Sequence, residues 1–156
     1  MDTREAKKYL STYAGLKKTV ENQLERIQRA KYDTEIPALK MGDGSSSGGG
    51  HSDRMANSVI KWLDLKERLM PAIEEKVEKM RQMESIVDSL DDGFEVEVLR
   101  LRYIDGDHCR LMPWRDVAMK LYGDDDEAQL QATYRLHGRA LQSIVKKMED
   151  KEKSNQ

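Results

Sequence analysis

A run of basic and amide side chains near the carboxyl end is the part of this sequence best suited to chemistry. Residues 128–148 contain no Asp or Glu, and they include the basic side chains Arg135, Arg139, Lys146 and Lys147. Arginine and glutamine can hydrogen-bond base edges or phosphates, and a tyrosine hydroxyl can donate to a phosphate. The pattern therefore indicates binding of a nucleic acid, with a solvated basic face on a purely structural helix as the alternative.

These side chains need a helix to present them together. Apolar or small residues recur at helical spacing along this segment, and we expect them to be buried; they are Leu130, Thr133, Leu136, Ala140, Ile144 and Met148. The opposite face then carries Gln131, Tyr134, Arg135, Arg139 and Gln142. The acidic run 124–127 comes just before the helix, where its negative charge suits a helix N-terminus.

Two shorter amphipathic segments precede this helix. The first covers residues 94–104 and ends at the turn signal Asp105-Gly106-Asp107. The second starts at Pro113, a favoured first helical position, and runs to Gly123. Three short helices with a glycine-containing turn before the last predict a helix-turn-helix.

Two long amphipathic stretches occupy the first part of the chain. Their apolar residues step by three and four over residues 6–30 and again over 55–90, and a Gly/Ser-rich stretch at 37–52 separates them. We predict an antiparallel, coiled-coil-like helical hairpin with a flexible loop at 37–52, and a homodimer through these N-terminal helices. Pro71 should bend the second helix near Met70 or restart it.

Composition sets the class of the protein. The chain has 156 residues, of which 38% are hydrophobic and 36% charged, and this balance favours an all-α fold. Because the net charge is −2, nucleic-acid binding has to come from a local patch. The predicted domains are the hairpin at 1–90, the helix-turn-helix at 91–150 and a disordered tail at 151–156.

Other kinds of site have little support. Asp105, Asp107, His108 and Cys109 are metal-type ligands, but adjacent side chains rarely point at one atom, so we predict no metal and no cofactor. Cys109 is the only cysteine, which excludes an intramolecular disulfide, and we expect a half-buried thiol. No nucleophile, phosphate-loop or zinc motif occurs, so we predict no catalytic site and no enzyme. His137 is expected either to contact DNA or to pack.

The sequence also predicts where the protein works. No apolar run approaches the ~20 residues needed to cross a bilayer, and the N-terminus lacks the apolar centre of a signal peptide. We therefore expect a cytoplasmic protein that does not contact a membrane.

The segments LRLRYIDGDH, MPWRDVAMKLYG and TYRLHGRALQSI resemble the fourth conserved region of bacterial sigma factors, the part that reads a promoter element. The whole chain is similar to phage and prophage late-gene regulators of the RinA/ArpU type, which have a long helical hairpin and this sigma-like module. The resemblance implies a transcriptional regulator of phage origin that binds double-stranded DNA in a bacterial host cell, alone or together with RNA polymerase.

The resemblance also implies roles for individual residues. Gln131, Tyr134 and Arg135 fall at base-contacting positions, and Arg139 at a phosphate-contacting one. We add Arg115, Lys120 and Lys146 as phosphate contacts because they are basic. Nine residues separate Gly123 from Thr133, which is longer than the family's usual turn.

Two alternatives stay open. One is an adaptor that contacts RNA polymerase through the acidic loop 124–127 without DNA specificity of its own. The other is the small subunit of a DNA-packaging terminase, which also combines a helix-turn-helix with oligomerising helices.

Overall fold

The computed structural model describes residues 1–40 and 50–155. Within those ranges the chain forms α-helices and no strand, which confirms the predicted all-α class. The helices are α1 (Thr3–Lys40), α2 (Gly50–Asp88), α3 (Gly93–Leu99), α4 (Trp114–Tyr122) and α5 (Glu127–Ser154). The more specific arrangement as a hairpin followed by a helix-turn-helix stays a prediction.

Part of the stretch predicted as a loop at 37–52 is helical in the structure. Residues 37–40 continue α1, and residues 50–52 belong to α2, while residues 41–49 lie outside the described part of the chain. Adding a residue to an existing helix costs far less free energy than starting a new helix. A helix can therefore extend at its ends into residues of low helix propensity. The predicted loop is corrected at both of its ends.

The predicted tail and domain boundary need correction as well. Residues 151–154 continue α5 as helix, because Lys and Glu are good helix formers that need no new nucleation there. The chain divides into one compact unit of residues 1–18 with 78–156 and a second of residues 19–77, in place of a border at residue 90. The Asp-Asp-Gly sequence at residues 91–93 therefore follows the end of α2 but does not mark a domain boundary.

A single apolar core explains why the start of α1 and the end of α2 both belong to the first unit. Ala6, Leu10 and Tyr13 of α1 are buried in the same cluster as Val87 and Leu90 of α2. The cluster continues through the later helices, where its buried members include Val98, Leu99, Leu101, Ile104, Val117, Leu136, Ala140, Leu141 and Ile144. The sequence pattern identified the stripe of α5 but not the residues of α1 and α2 that cover it.

The second unit, residues 19–77, has a smaller buried set. Val20, Leu69 and Ile73 are its buried aliphatic side chains among the described residues. The Lys31 ammonium lies 5.9 Å from the centre of the Trp62 ring. Pro71 lies inside α2, and the helix does not restart there.

Aspartate caps define where α3 and α5 begin. The Asp92 carboxylate accepts hydrogen bonds from the first backbone amides of α3, and Asp126 does the same for α5 by accepting from Gln129 N. The helical path of α3 continues as a π-helical segment, Arg100–Ile104. Such caps satisfy backbone donors that have no partner within the helix.

The turn between α4 and α5 is short. It consists of residues 123–126, because α5 already begins at Glu127. The extra residues that the sequence analysis placed in the turn therefore form the start of α5. Gly123 ends α4 in the left-handed conformation, with φ of 73°, and donates its amide to Met119 O.

Gly123→Ala should destabilise the protein by roughly 1–2 kcal/mol, since a Cβ atom disfavours the left-handed conformation that the turn requires. Urea unfolding followed by circular dichroism measures the change. Gly93→Ala is the matched control, because Gly93 has an ordinary φ and open space at its Cβ position. Equal stability of the two variants would contradict the role given to Gly123.

Candidate nucleic-acid interface

The structure exposes all seven side chains that the sequence analysis assigned to base or phosphate contacts. On α5 these are Gln131, Tyr134, Arg135, Arg139 and Lys146, and on α4 they are Arg115 and Lys120. The predicted inner stripe of α5 is buried from Leu130 to Ile144, and Met148 is half-buried. One helix therefore joins the core on one side and carries the candidate polar surface on the other.

The candidate basic residues differ in their partners. Arg115 forms an ion pair with Asp125, with 3.6 Å between nitrogen and oxygen. Arg135 and Arg139 have no ion pair or hydrogen-bond partner among the described side chains, so their charge is available to a ligand. Gln131 lies between these cases, because its amide donates to Glu127 one turn earlier at 2.9 Å.

A shallow groove runs beside the two free arginines. It is lined by Tyr122 at the end of α4 and by Ala132, Arg135, Gly138, Arg139 and Gln142 of α5. The sequence analysis missed Tyr122 and Gly138 as members of this surface. No periodic pattern connects a residue at the end of one helix with the face of the next.

Trp114 holds α4 against α5. Its ring meets the Tyr134 ring edge to face with 5.2 Å between centres, and it meets the His137 ring at 4.8 Å. The Arg102 guanidinium lies 4.4 Å from the centre of the same ring. Edge-to-face pairs and cation–π contacts of this kind each add roughly 0.5–2 kcal/mol beyond burial.

Arg102 reaches Trp114 from the π-helical segment. Its Nη1 donates to the carbonyl oxygen of Met112, and its own carbonyl accepts from Met112 N at 3.2 Å. These bonds fix the loop that leads into α4. The sequence analysis missed the role of Arg102. Arg100 and Arg102 look equivalent in the segment LRLRY, and only the structure shows which of them reaches this loop.

His137 is packed and does not belong to the exposed surface. It is 8% exposed, and its Nε2 lies 2.8 Å from the Tyr103 hydroxyl. Burial, and then the positive charges of Lys7 and Arg102, lower the pKa of His137 to about 4. Burial raises the pKa of Tyr103 to about 12. Both groups are neutral near pH 7, and of the two roles predicted for His137 the structure favours packing.

The acidic residues between α4 and α5 have local structural partners. Asp126 caps α5, Asp125 pairs with Arg115, and Asp124 accepts from Asp126 N at 3.2 Å. A helix N-terminus stabilises negative charge placed beside it. The acids thus define the start of the helix that carries the basic face.

The remaining candidates from the sequence show no assembled site. Arg100 pairs with Asp88 at 2.8 Å and with Asp105 at 3.3 Å, so Asp105 serves an ion pair. Cys109 is half-buried, as expected. Among the described residues, no group of three or more His, Cys, Asp or Glu side chains is placed to hold a metal ion. None of the described helices contains an apolar stretch that is long enough to span a membrane.

Comparison with known proteins gives no relative: no family model, no curated protein and no solved structure matches the chain.

The buried histidine makes stability depend on pH. Its folded pKa of about 4 lies below the ordinary value of 6.5, so its contribution is complete above pH 6.5 and is lost as pH falls towards 4. We expect the parent to lose on the order of 1–2 kcal/mol more than His137→Gln between about pH 7 and pH 5. Glutamine keeps a hydrogen-bonding group near Tyr103 but does not titrate.

Urea unfolding of both proteins at the two pH values measures this difference. Carboxylate titration affects both proteins alike, so it cancels in the comparison. Parallel loss of stability in the parent and in His137→Gln would show that His137 does not carry the effect.

Proposed function

We propose that this chain is a transcriptional regulator of phage or prophage origin that binds double-stranded DNA with α5 in the cytoplasm of its bacterial host. The observation that supports it is the position of Arg135 and Arg139. Both are exposed, both are without an acidic partner among the described residues, and both lie on a helix whose opposite face is buried.

The proposed binding mode uses α5 as the recognition helix. A major groove about 12 Å wide admits one α-helix with its side chains. Gln131, Tyr134 and Arg135 would then contact base edges, because they lie within two turns on the exposed face. The edge-to-face packing of Tyr134 on Trp114 reduces the number of conformations that its ring can adopt before binding.

Phosphate contacts would supply most of the affinity. Three exposed residues fit this role: Arg139, Lys120 and Lys146. Arg115 would first have to break its ion pair with Asp125 before it could bind a phosphate. The chain as a whole carries a net charge of −2, so attraction to DNA is local and should weaken strongly with added salt.

The proposal includes a homodimer formed through the N-terminal helices. In the unit of residues 19–77, the large apolar side chains Leu24, Ile60 and Leu63 are each about half exposed. A dimer predicts an operator with two half-sites one helical turn apart, whereas a monomer acting beside RNA polymerase predicts one site.

The adaptor alternative has less support from the geometry. It assigned polymerase contact to the acidic residues 124–127, and all four of these have partners in the turn, on α4 or on α5. No observation specifically favours the terminase alternative.

The test begins by selecting bound fragments from random duplex DNA, which identifies a site and its symmetry. On that site, Arg135→Ala should weaken binding by roughly 1–3 kcal/mol and relax the base preference where the arginine contacts DNA. Fluorescence anisotropy at fixed salt measures the loss.

Arg68→Ala is the matched control. It removes the same charge from an exposed arginine on α2 and should leave DNA affinity unchanged. If Arg135→Ala binds the selected site as tightly as the parent and Arg68→Ala do, α5 is not the recognition helix.

A further inference from the structure

Nothing in the described fold explains why residue 138 is a glycine. It lies inside α5, where glycine is among the least favourable residues. Its φ is not positive, since Gly123 is the positive-φ glycine of the described chain. A Cβ atom at Gly138 would have no heavy atom within 4 Å. Neither the backbone conformation nor packing within the described chain requires glycine here.

The surroundings of Gly138 indicate what approaches it. The residue lines the groove described above, within four residues of Arg135, Arg139 and Gln142. Tyr122 of α4 lines the same groove from the other side. Guanidinium, amide and phenol groups all donate hydrogen bonds, and no carboxylate lines the groove. This set is complementary to a phosphate group.

We propose that the sugar-phosphate backbone of duplex DNA occupies this groove, and that Gly138 lets it approach the helix closely. Arg139 then contacts the strand beside Gly138, Arg135 reaches from the edge of the groove to the neighbouring bases, and Tyr122 donates to the strand from α4. A methyl group at position 138 would stand between the helix backbone and the strand. The inference rests on the proposed function and adds Tyr122 and Gly138 to the interface.

The proposal predicts that one substitution has opposite effects on stability and on binding. Gly138→Ala should raise the Tm by about 2–4 °C, since alanine favours helix and has room for its methyl group. The same variant should bind duplex DNA about tenfold more weakly, a difference of ~1.4 kcal/mol. Gly138→Gln should bind more weakly still, because its side chain fills more of the groove.

Gly15→Ala is the matched control. Gly15 also lies inside a helix, is exposed and has open space at its Cβ position. Its substitution should raise the Tm by a similar amount and leave affinity unchanged. The probe is a fluorescently labelled random-sequence duplex of about 20 base pairs at about 50 mM salt, where phosphate contacts dominate binding. Anisotropy gives the affinities, and thermal unfolding gives the Tm values.

Each result decides the question. If the parent binds the duplex and Gly138→Ala binds it equally well, the close approach at Gly138 is wrong while the proposed function stands. A fall in Tm for Gly138→Ala would also overturn the inference, because the fold would then need the glycine. If the parent does not bind the duplex at all, the inference and the proposed function both fail. Weaker binding by a more stable Gly138→Ala supports the inference.

Discussion

The candidate interface depends on the contacts of Trp114 with α5. This one ring touches Tyr134 and His137, and Arg102 covers it from the π-helical segment. A side chain of α4 that packs against both α5 and the π-helical segment leaves α4 and α5 little freedom to rotate against each other. Because both helices carry exposed basic residues, the same contact fixes the relative positions of those charges. A neutral, buried His137 keeps an additional positive charge out of this cluster.

Helical periodicity predicted most of the local structure and little of its assembly. The inner stripe of α5 and the limits of α4 follow from the spacing of apolar residues and from Pro113 and Gly123. The domain boundary did not follow, because the residues of α1 that join the core with α3 and α5 have the same spacing as those of the second unit. A stripe shows that a helix is covered, but it does not show by which partner.

The sequence likewise predicted the exposed residues of the candidate site but not the contacts between its helices. Exposure of Arg135 and Arg139 follows from their position opposite Leu136 and Ala140, one helix face against the other. The ion pair of Arg115 with Asp125 and the place of Tyr122 in the groove are contacts between elements, and these depend on how the turn orients two helices. The turn looked too long from sequence because its length was counted from Gly123 to Thr133, whereas capping by Asp126 makes Glu127 the first residue of α5.

The distribution of charge along α5 has a further consequence. Acidic residues lie at both ends of the helix, with the cap Asp126 and Glu127 at its start, where the helix dipole stabilises negative charge, and Glu149, Asp150 and Glu152 near its end. Positive charge without any acid occupies the middle, beginning two turns after Glu127 at Arg135. A polyanion approaching this helix is repelled at the first turn and attracted along the middle. The proposed DNA backbone would therefore cross α5 near Gly138, where the unpaired arginines and the groove coincide. The local positive charge of α5, whose position is set by the cap Asp126 and the turn 123–126, would thus attract a negatively charged ligand although the net charge of the chain is negative.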